Sequence, residues 1–397
     1  MIVGLLGALI NNENLGCVAL TYSLINLLER ISKKHKITFD YYVFEVEPDS
    51  SKLSRITEKL GLERSRIHVY DVTPLFRIRR FIHHFSTGII SIKALRKCDL
   101  CIDLTGGDSF TDIYGQYTFD AETNVKLLIE KMGIPLILGP QTYGPFTLKK
   151  NITKAIKAID GASMVMSRDQ KSADYIHLFS EKEIDVTTDL AFEMPYEHNV
   201  TKSEKGVIKV GINVSGLLLN DKTESTTLSL QLKTDYDKFV CGVIDSLIED
   251  GHYEIYCIPH VGTDGTDWIE RRYGSRVNCL KPFEDPISAK SFIADMDVFI
   301  GSRMHATIGA FSTGVATIPV AYSRKFSGLY ERIGYPYIVD LQTMPTEDAI
   351  NITLYYTRKY DCLKKSVREC MQNVSTISRK NMSLLENAIL KQTTKIK

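Results

Sequence analysis

Along this 397-residue chain, short apolar runs alternate with longer amphipathic stretches, and few folds accept that rhythm. A brief run of aliphatic and β-branched residues suits a strand buried on both faces, and a helical stretch before the next run suits the crossover that parallel pairing requires. In the first half, the runs Ile2–Leu9, Phe39–Glu45, Arg66–Val72, Asp99–Leu104, Pro135–Leu138, Ser163–Met166 and Ile184–Thr187 predict one complete α/β layer. The sequence from Pro195 to Val207 is polar and reads as an exposed linker. The alternation restarts with Val207–Val214, Tyr253–Ile258, Val277–Leu280, Asp297–Ile300 and Ala316–Ala321. After about Thr346 the pattern is helical and polar. The expectation is therefore an α/β protein of two Rossmann-like, doubly wound domains, residues 1–195 and 207–345, facing a central cleft, with a helical segment 346–397 crossing back over both.

Composition removes several function classes. With 49 Lys and Arg against 48 Asp and Glu, the net charge of +1 provides no global field for nucleic acid, so no nucleic-acid partner is expected. Met1–Ile10 has no cationic start and falls short of the ~20 residues of a spanning helix, so it reads as a buried first strand. Eight cysteines at uneven intervals make no disulfide framework, and a cytoplasmic location follows. Cys98 and Cys101 are spaced like a metal or redox pair, but residues three apart on a strand point to opposite faces. No linked histidine or cysteine pattern predicts a metal. The absence of a Gly-x-x-x-x-Gly-Lys-Ser/Thr loop or a Gly-x-Gly-x-x-Gly turn argues against a nucleoside triphosphate or NAD, so no cofactor is expected.

The residues with most chemical content stand where strands are expected to end. Asp295–Ile300 runs into Gly301-Ser302, and a helix is predicted from about Arg303. Backbone N–H groups at such a start favour an anion, and Arg303 adds a planar fork suited to phosphate or carboxylate. His305 follows two residues later. The competing structural reading pairs Arg303 with a nearby aspartate and buries His305 as an ordinary imidazole. One unit further, Tyr322-Ser-Arg-Lys325 supplies a second cationic turn, and together the two turns suit a small polyanion. The turn Thr105-Gly-Gly-Asp-Ser109 offers Gly107 and Asp108 to a ligand, while Gln141 and Arg168 stand at two further strand exits. His260 follows the strand Tyr253–Ile258 and has Asp264 four residues on, a spacing that permits a His–Asp contact.

These pieces resemble the polysaccharide pyruvyl transferase family. The resemblance rests on Gly301-Ser-Arg303-Met-His305-Ala followed by Tyr322-Ser-Arg-Lys325, and on Gly106-Gly-Asp-Ser, Gly139-Pro-Gln-Thr-Tyr-Gly-Pro145, Ser167-Arg-Asp169, Asp189-Leu-Ala-Phe and His260 with Asp264, in the expected order over most of residues 1–335. It implies a GT-B-like arrangement, with residues 1–195 on the acceptor side and 207–345 on the donor side. It further implies transfer of pyruvate from phosphoenolpyruvate to two hydroxyls of a sugar, giving a cyclic ketal and phosphate. Arg303 and His305 would be catalytic, and Ser302, Lys325, Arg168, Gly107, Asp108, Gln141 and His260 would bind substrate. A nucleotide-sugar glycosyltransferase and a non-catalytic carbohydrate-binding relative are the two rivals. One departure stands out: the family carries a glycine and an aspartate entering the first helix, whereas this chain has Gly16-Cys17. A thiol with a pKa near ~8.5 is a poor proton acceptor, which leaves Glu13 or Asp108 for that role.

Phe76–Lys97 mixes six cations with aromatic and aliphatic residues. A helix packed on the sheet with its cations outward explains the pattern, and contact with an anionic membrane surface is the alternative. The latter suits a lipid-linked acceptor at the inner face of a membrane. Self-association as a homodimer is compatible with a two-domain enzyme of this kind.

Overall fold

The structure is a computed structural model that describes residues 1–76, 78–197, 206–219 and 232–396, with backbone alone at 78, 324, 325, 395 and 396. The chain divides into two compact units. One comprises Met1–Asn12, Leu20–Glu193 and Thr376–Lys397; the other comprises Glu13–Ala19 and Met194–Ser375. Most of the expected linker, 198–205, lies outside the described residues.

The first unit is built on seven parallel strands: β1 (Ile2–Leu6), β2 (Asp40–Glu45), β3 (Ile67–Asp71), β4 (Leu100–Asp103), β5 (Leu136–Gln141), β6 (Met164–Ser167) and β7 (Asp185–Val186). Their order is β3-β2-β1-β4-β5-β6-β7, so the winding reverses between β1 and β4. Helices cover the sheet because β4 and β5 are buried at every position and have no solvent face to offer. The second unit repeats the plan with β8 (Ile208–Asn213), β9 (Tyr253–Cys257), β10 (Asn278–Cys279), β11 (Val298–Gly301), β12 (Ala316–Ala321) and β13 (Val339–Asp340). Here the order is β10-β9-β8-β11-β12-β13 and the reversal lies between β8 and β11. All twelve expected runs are strands, and the two-residue β13 is an addition. Both units are thus Rossmann-like. The C-terminal helices are Thr346–Arg358 and Tyr360–Ile396, and the latter passes from residues of the second unit to residues of the first.

Each unit buries a lysine. In the first, Lys126 lies on the helix Gln116–Lys131 with its side chain 1% exposed, 3.1 Å from Asp103 Oδ1. Its ammonium donates to Thr105 Oγ1 (2.8 Å) and stands 4.5 Å from the Phe110 ring centre. Burying an amine is costly unless an anion and hydrogen bonds replace the water it loses, and this arrangement supplies both. In the second, Lys290 is 2% exposed, donates to Met194 O at 2.6 Å and lies over the Tyr196 ring.

Cys98 and Cys101 depart from the strand argument. Cys98 precedes β4, so both thiols converge on Gly4, where an added Cβ would stand 2.8 Å from one sulfur and 3.0 Å from the other. A hydrogen bond that Cys101 donates to Cys98, then burial, pushes the Cys101 thiol well up, the opposite of an activated nucleophile. Among the described residues no group of three or more His, Cys, Asp or Glu could hold a metal ion, and no helix is long and apolar enough to cross a membrane.

Candidate functional site

In open α/β sheets ligands gather beyond the carboxyl ends of the strands where the winding reverses. In the second unit that point is the end of β8 and β11, paired through Gly301 and Asn213. Beyond β11, Ser302 N donates to Asn213 O at 3.2 Å, and Arg303 caps the helix Met304–Ser312 in an extended conformation. The helix therefore starts one residue later than expected, with His305 in its first turn.

Asp264 organises this end. Its Oδ1 receives Arg303 Nε at 2.9 Å and Nη2 at 2.8 Å. Its Oδ2 receives the backbone N–H groups of His260 (2.9 Å) and Val261 (3.0 Å) and Asn213 Nδ2 (3.0 Å). The expected His–Asp contact thus runs through the His260 backbone. The Asp264 side chain is 1% exposed and Arg303 is 17% exposed, so the carboxylate is internal while the guanidinium reaches the surface. Ser302 is buried and accepts the Tyr236 phenol at 2.8 Å, which places it inside the turn.

The loop and first turn of the helix Leu15–His35 complete the arrangement, since Glu13–Ala19 belong to this unit. Leu15 N donates to His260 O at 3.1 Å, and Asn14 pairs antiparallel with Val261. His305 rests on Gly16: an added Cβ there would lie 2.4 Å from Nδ1, 2.7 Å from Cγ and 2.9 Å from Cβ of His305. Only glycine admits the imidazole so closely. Cys17, the departure from the family pattern, follows in the same turn and is half-buried. Glu13 is exposed, and a Cβ at Gly262 would stand 3.2 Å from its Oε2. Burial, then the charge of His305, pushes His260 down to about 3, so its imidazole is neutral at physiological pH.

The first unit gathers Gly107, Asp108, Gln141 and Arg168. Thr142 N donates to Gly107 O (2.9 Å), Arg168 N to Gln141 O (3.2 Å) and Arg168 Nε to Thr142 Oγ1 (2.9 Å). Arg168 is 4% exposed and pairs with Asp189 at 2.7 Å. Burial opposes its charge, but Asp189, Asp108 and Asp169 outweigh that and hold the guanidinium above its ordinary value. Gln141 is fully buried, with Nε2 donating to Asp103 Oδ2 at 3.1 Å, so it serves the buried lysine network. Asp108 is half-buried beside Gly107, whose φ of +86° and 3.2 Å Cβ-to-Arg168 Nη1 spacing both favour glycine. Lys325 lies in the first turn of the helix Arg324–Arg332, and its side chain is outside the described residues.

Asp264, Asn213, Tyr236 and Gly16 are the contributors to the second unit's site that motif reading either undervalued or missed. Asp264 stood in view beside His260, but its partnership with Arg303 crosses 39 residues. Gly16 carried no signal for its contact with His305.

The sequence model of one family, described as polysaccharide pyruvyl transferase, matches residues 14–324. No curated protein matches the chain significantly. Among solved structures, a UDP-GlcNAc 2-epimerase from Neisseria meningitidis bound to UDP-GlcNAc is similar with a TM-score of 0.59 and 9% identity, over 96% of this chain and 99% of that one. A UDP-GlcNAc 2-epimerase from Methanocaldococcus jannaschii gives 0.57 and 10% identity, over 89% and 92%. HepE of Anabaena, in complex with UDP and glucose, gives 0.53 and 12% identity, over 99% of each chain. At such identities the likeness is one of fold.

Proposed function

Because this chain belongs to the polysaccharide pyruvyl transferase family, we propose that it transfers the pyruvyl group of phosphoenolpyruvate to two hydroxyls of a sugar, forming a cyclic ketal and releasing phosphate. The observation that carries the reading is the Arg303–Asp264 pair beside His305 at the ends of β8 and β11. Asp264 engages Arg303 through Nε and Nη2, which orients the fork and leaves Nη1 for a phosphate or carboxylate oxygen. Lys325 is the second cation proposed for the donor, and Arg168, Gly107 and Asp108 are proposed for the substrate side of the first unit.

In this mechanism His305, as imidazolium, gives its proton to the methylene carbon of phosphoenolpyruvate, creating the methyl group and cationic character at the neighbouring carbon. A bound dianion favours the imidazolium that the step consumes. The first sugar hydroxyl attacks that carbon, and its proton restores His305. The C–O bond to phosphate then breaks, the electron pair leaves with phosphate under Arg303, and the second hydroxyl closes the ring as its proton passes to the departing phosphate. No cofactor enters the balance. Glu13 is the proposed relay that takes the second hydroxyl's proton and hands it to the departing phosphate, because Cys17 replaces the usual aspartate and Glu13 stands against Gly262 in the same unit. The acceptor is a polysaccharide or lipid-linked sugar precursor, made in the cytoplasm.

Glycosyl transfer from a nucleotide sugar is the competing reading, motivated by the fold shared with proteins solved with UDP or UDP-GlcNAc. Thermal stabilisation by phosphoenolpyruvate and by UDP, on the intact chain and on Arg303→Ala, separates the two. Stabilisation by phosphoenolpyruvate, lost in Arg303→Ala, is the expected result, followed by acceptor-dependent phosphate release. A preference for UDP overturns it.

A further inference from the structure

Residues 76–97 carry six Lys and Arg and no Asp or Glu, in a chain whose total charge is only +1. The segment folds as two short helices, Ile78–His83 and Phe85–Leu95. The second buries Gly88, Ser91, Ala94 and Leu95 on its inner side, and Phe81 packs beneath Gly88, so the pair is already anchored to the first unit. That inner packing matches the helix-on-sheet reading but leaves three large apolar side chains outside. Ile82 is 67% exposed, Phe85 58% and Ile90 56%. Arg79, Arg80 and Lys93 are exposed among them, and Arg80 lies 5.8 Å from the ring centre of Tyr117, itself 43% exposed.

We propose that this face of the first unit docks on the surface of an anionic phospholipid bilayer. Protruding aliphatic and aromatic side chains interspersed with cations, in a segment that itself contains no Asp or Glu, complement acyl chains beneath a layer of negative headgroups. Ile82 and Ile90 have no π-face on which a nucleic-acid base could stack. A second copy is disfavoured by charge, because a two-fold contact through this face would oppose Arg79, Arg80 and Lys93 of one copy to the same three of the other. The association is peripheral: the apolar side chains enter the headgroup boundary without any spanning helix among the described residues. This inference does not depend on the reaction, and its test reads binding alone.

The test is co-sedimentation of the full chain with vesicles of phosphatidylcholine, with and without phosphatidylglycerol. The chain is expected to pellet with the anionic vesicles only. Arg79→Gln and Lys93→Gln should each weaken partitioning about fivefold, and Ile82→Ser with Ile90→Ser should abolish it without lowering the melting temperature, since both side chains are exposed. Glycerol phosphate in solution should not compete. Equal pelleting with neutral vesicles, pelleting unchanged in both sets of variants, displacement by glycerol phosphate, or a solution dimer that Ile90→Ser dissociates would each overturn the proposal.

Discussion

Replacing Gly16 with alanine sets two physical effects of opposite sign against each other. Within a helix, alanine gains about 0.5–1 kcal/mol over glycine, so propensity alone predicts a more stable protein. The contact with His305 predicts the reverse. The new Cβ would stand 2.4 Å from Nδ1 and 2.9 Å from the Cβ of His305, whereas ordinary contact lies about 1 Å further out. Because the overlap includes Cβ as well as the ring, rotation about χ1 cannot relieve it, and the first turn of the helix Met304–Ser312 must move. Overpacking of this kind costs about 1–3 kcal/mol. The balance is a net loss of about 1 kcal/mol, or about 2–4 °C in melting temperature for a unit of this size. An imidazole displaced by about 1 Å should lower acceptor-dependent phosphate release about 100-fold. The assay pairs calorimetry with steady-state phosphate release. A higher melting temperature with normal turnover in Gly16→Ala would refute the claim that His305 rests on Gly16.

Three further outcomes are expected. Asp264→Ala strands Arg303 and removes the acceptor of two backbone N–H groups, so urea unfolding should show a loss of about 3–5 kcal/mol; a loss below about 1 kcal/mol would mean that Asp264 does not organise the turn. His260 has a folded pKa of about 3 against ~6.5 unfolded, so the unfolded chain binds the extra proton between those values. Stability should be full above about pH 6.5 and fall by up to about 1.4 kcal/mol per pH unit toward pH 3, with a shallower fall in His260→Gln; identical profiles would show that the imidazole is not buried neutral. His305→Ala should keep stabilisation by phosphoenolpyruvate while turnover drops about 100-fold or more, and Glu13→Gln should lower turnover with little effect on donor binding; near-normal turnover in either variant removes that residue from the proposed mechanism.

The sheets were legible in the sequence because parallel strands buried on both faces leave continuous apolar runs. Ala316–Ala321, buried at all six positions, is observed with its expected bounds. Val339–Asp340 is too short to leave such a run. Ends were less legible than centres: Ile2–Leu9 is a strand only to Leu6, since apolar character continues past the last ladder bond. The strand-exit argument located Arg303, His305, Gly107 and Arg168, because the end of a run can be read along the chain. It did not distinguish a side chain that faces outward from one that closes its own turn, which is how Gln141 and Ser302 come to be internal. That distinction depends on partners distant in sequence, as when Gly16 meets His305 and Asp103 meets Lys126.

The buried lysines Lys126 and Lys290 also make this chain a self-reporting probe of its own unfolding. Amine-reactive reagents acylate an exposed ammonium readily, but Lys126 and Lys290 are 1% and 2% exposed and engaged by oxygen acceptors, so each becomes reactive only when its surroundings open. Because one stands in each compact unit, peptide mass spectrometry after pulsed acylation at increasing denaturant would record two separate opening curves from a single unmodified protein. Coincident curves would mean that the units unfold as one cooperative block, and separated curves would identify the weaker one.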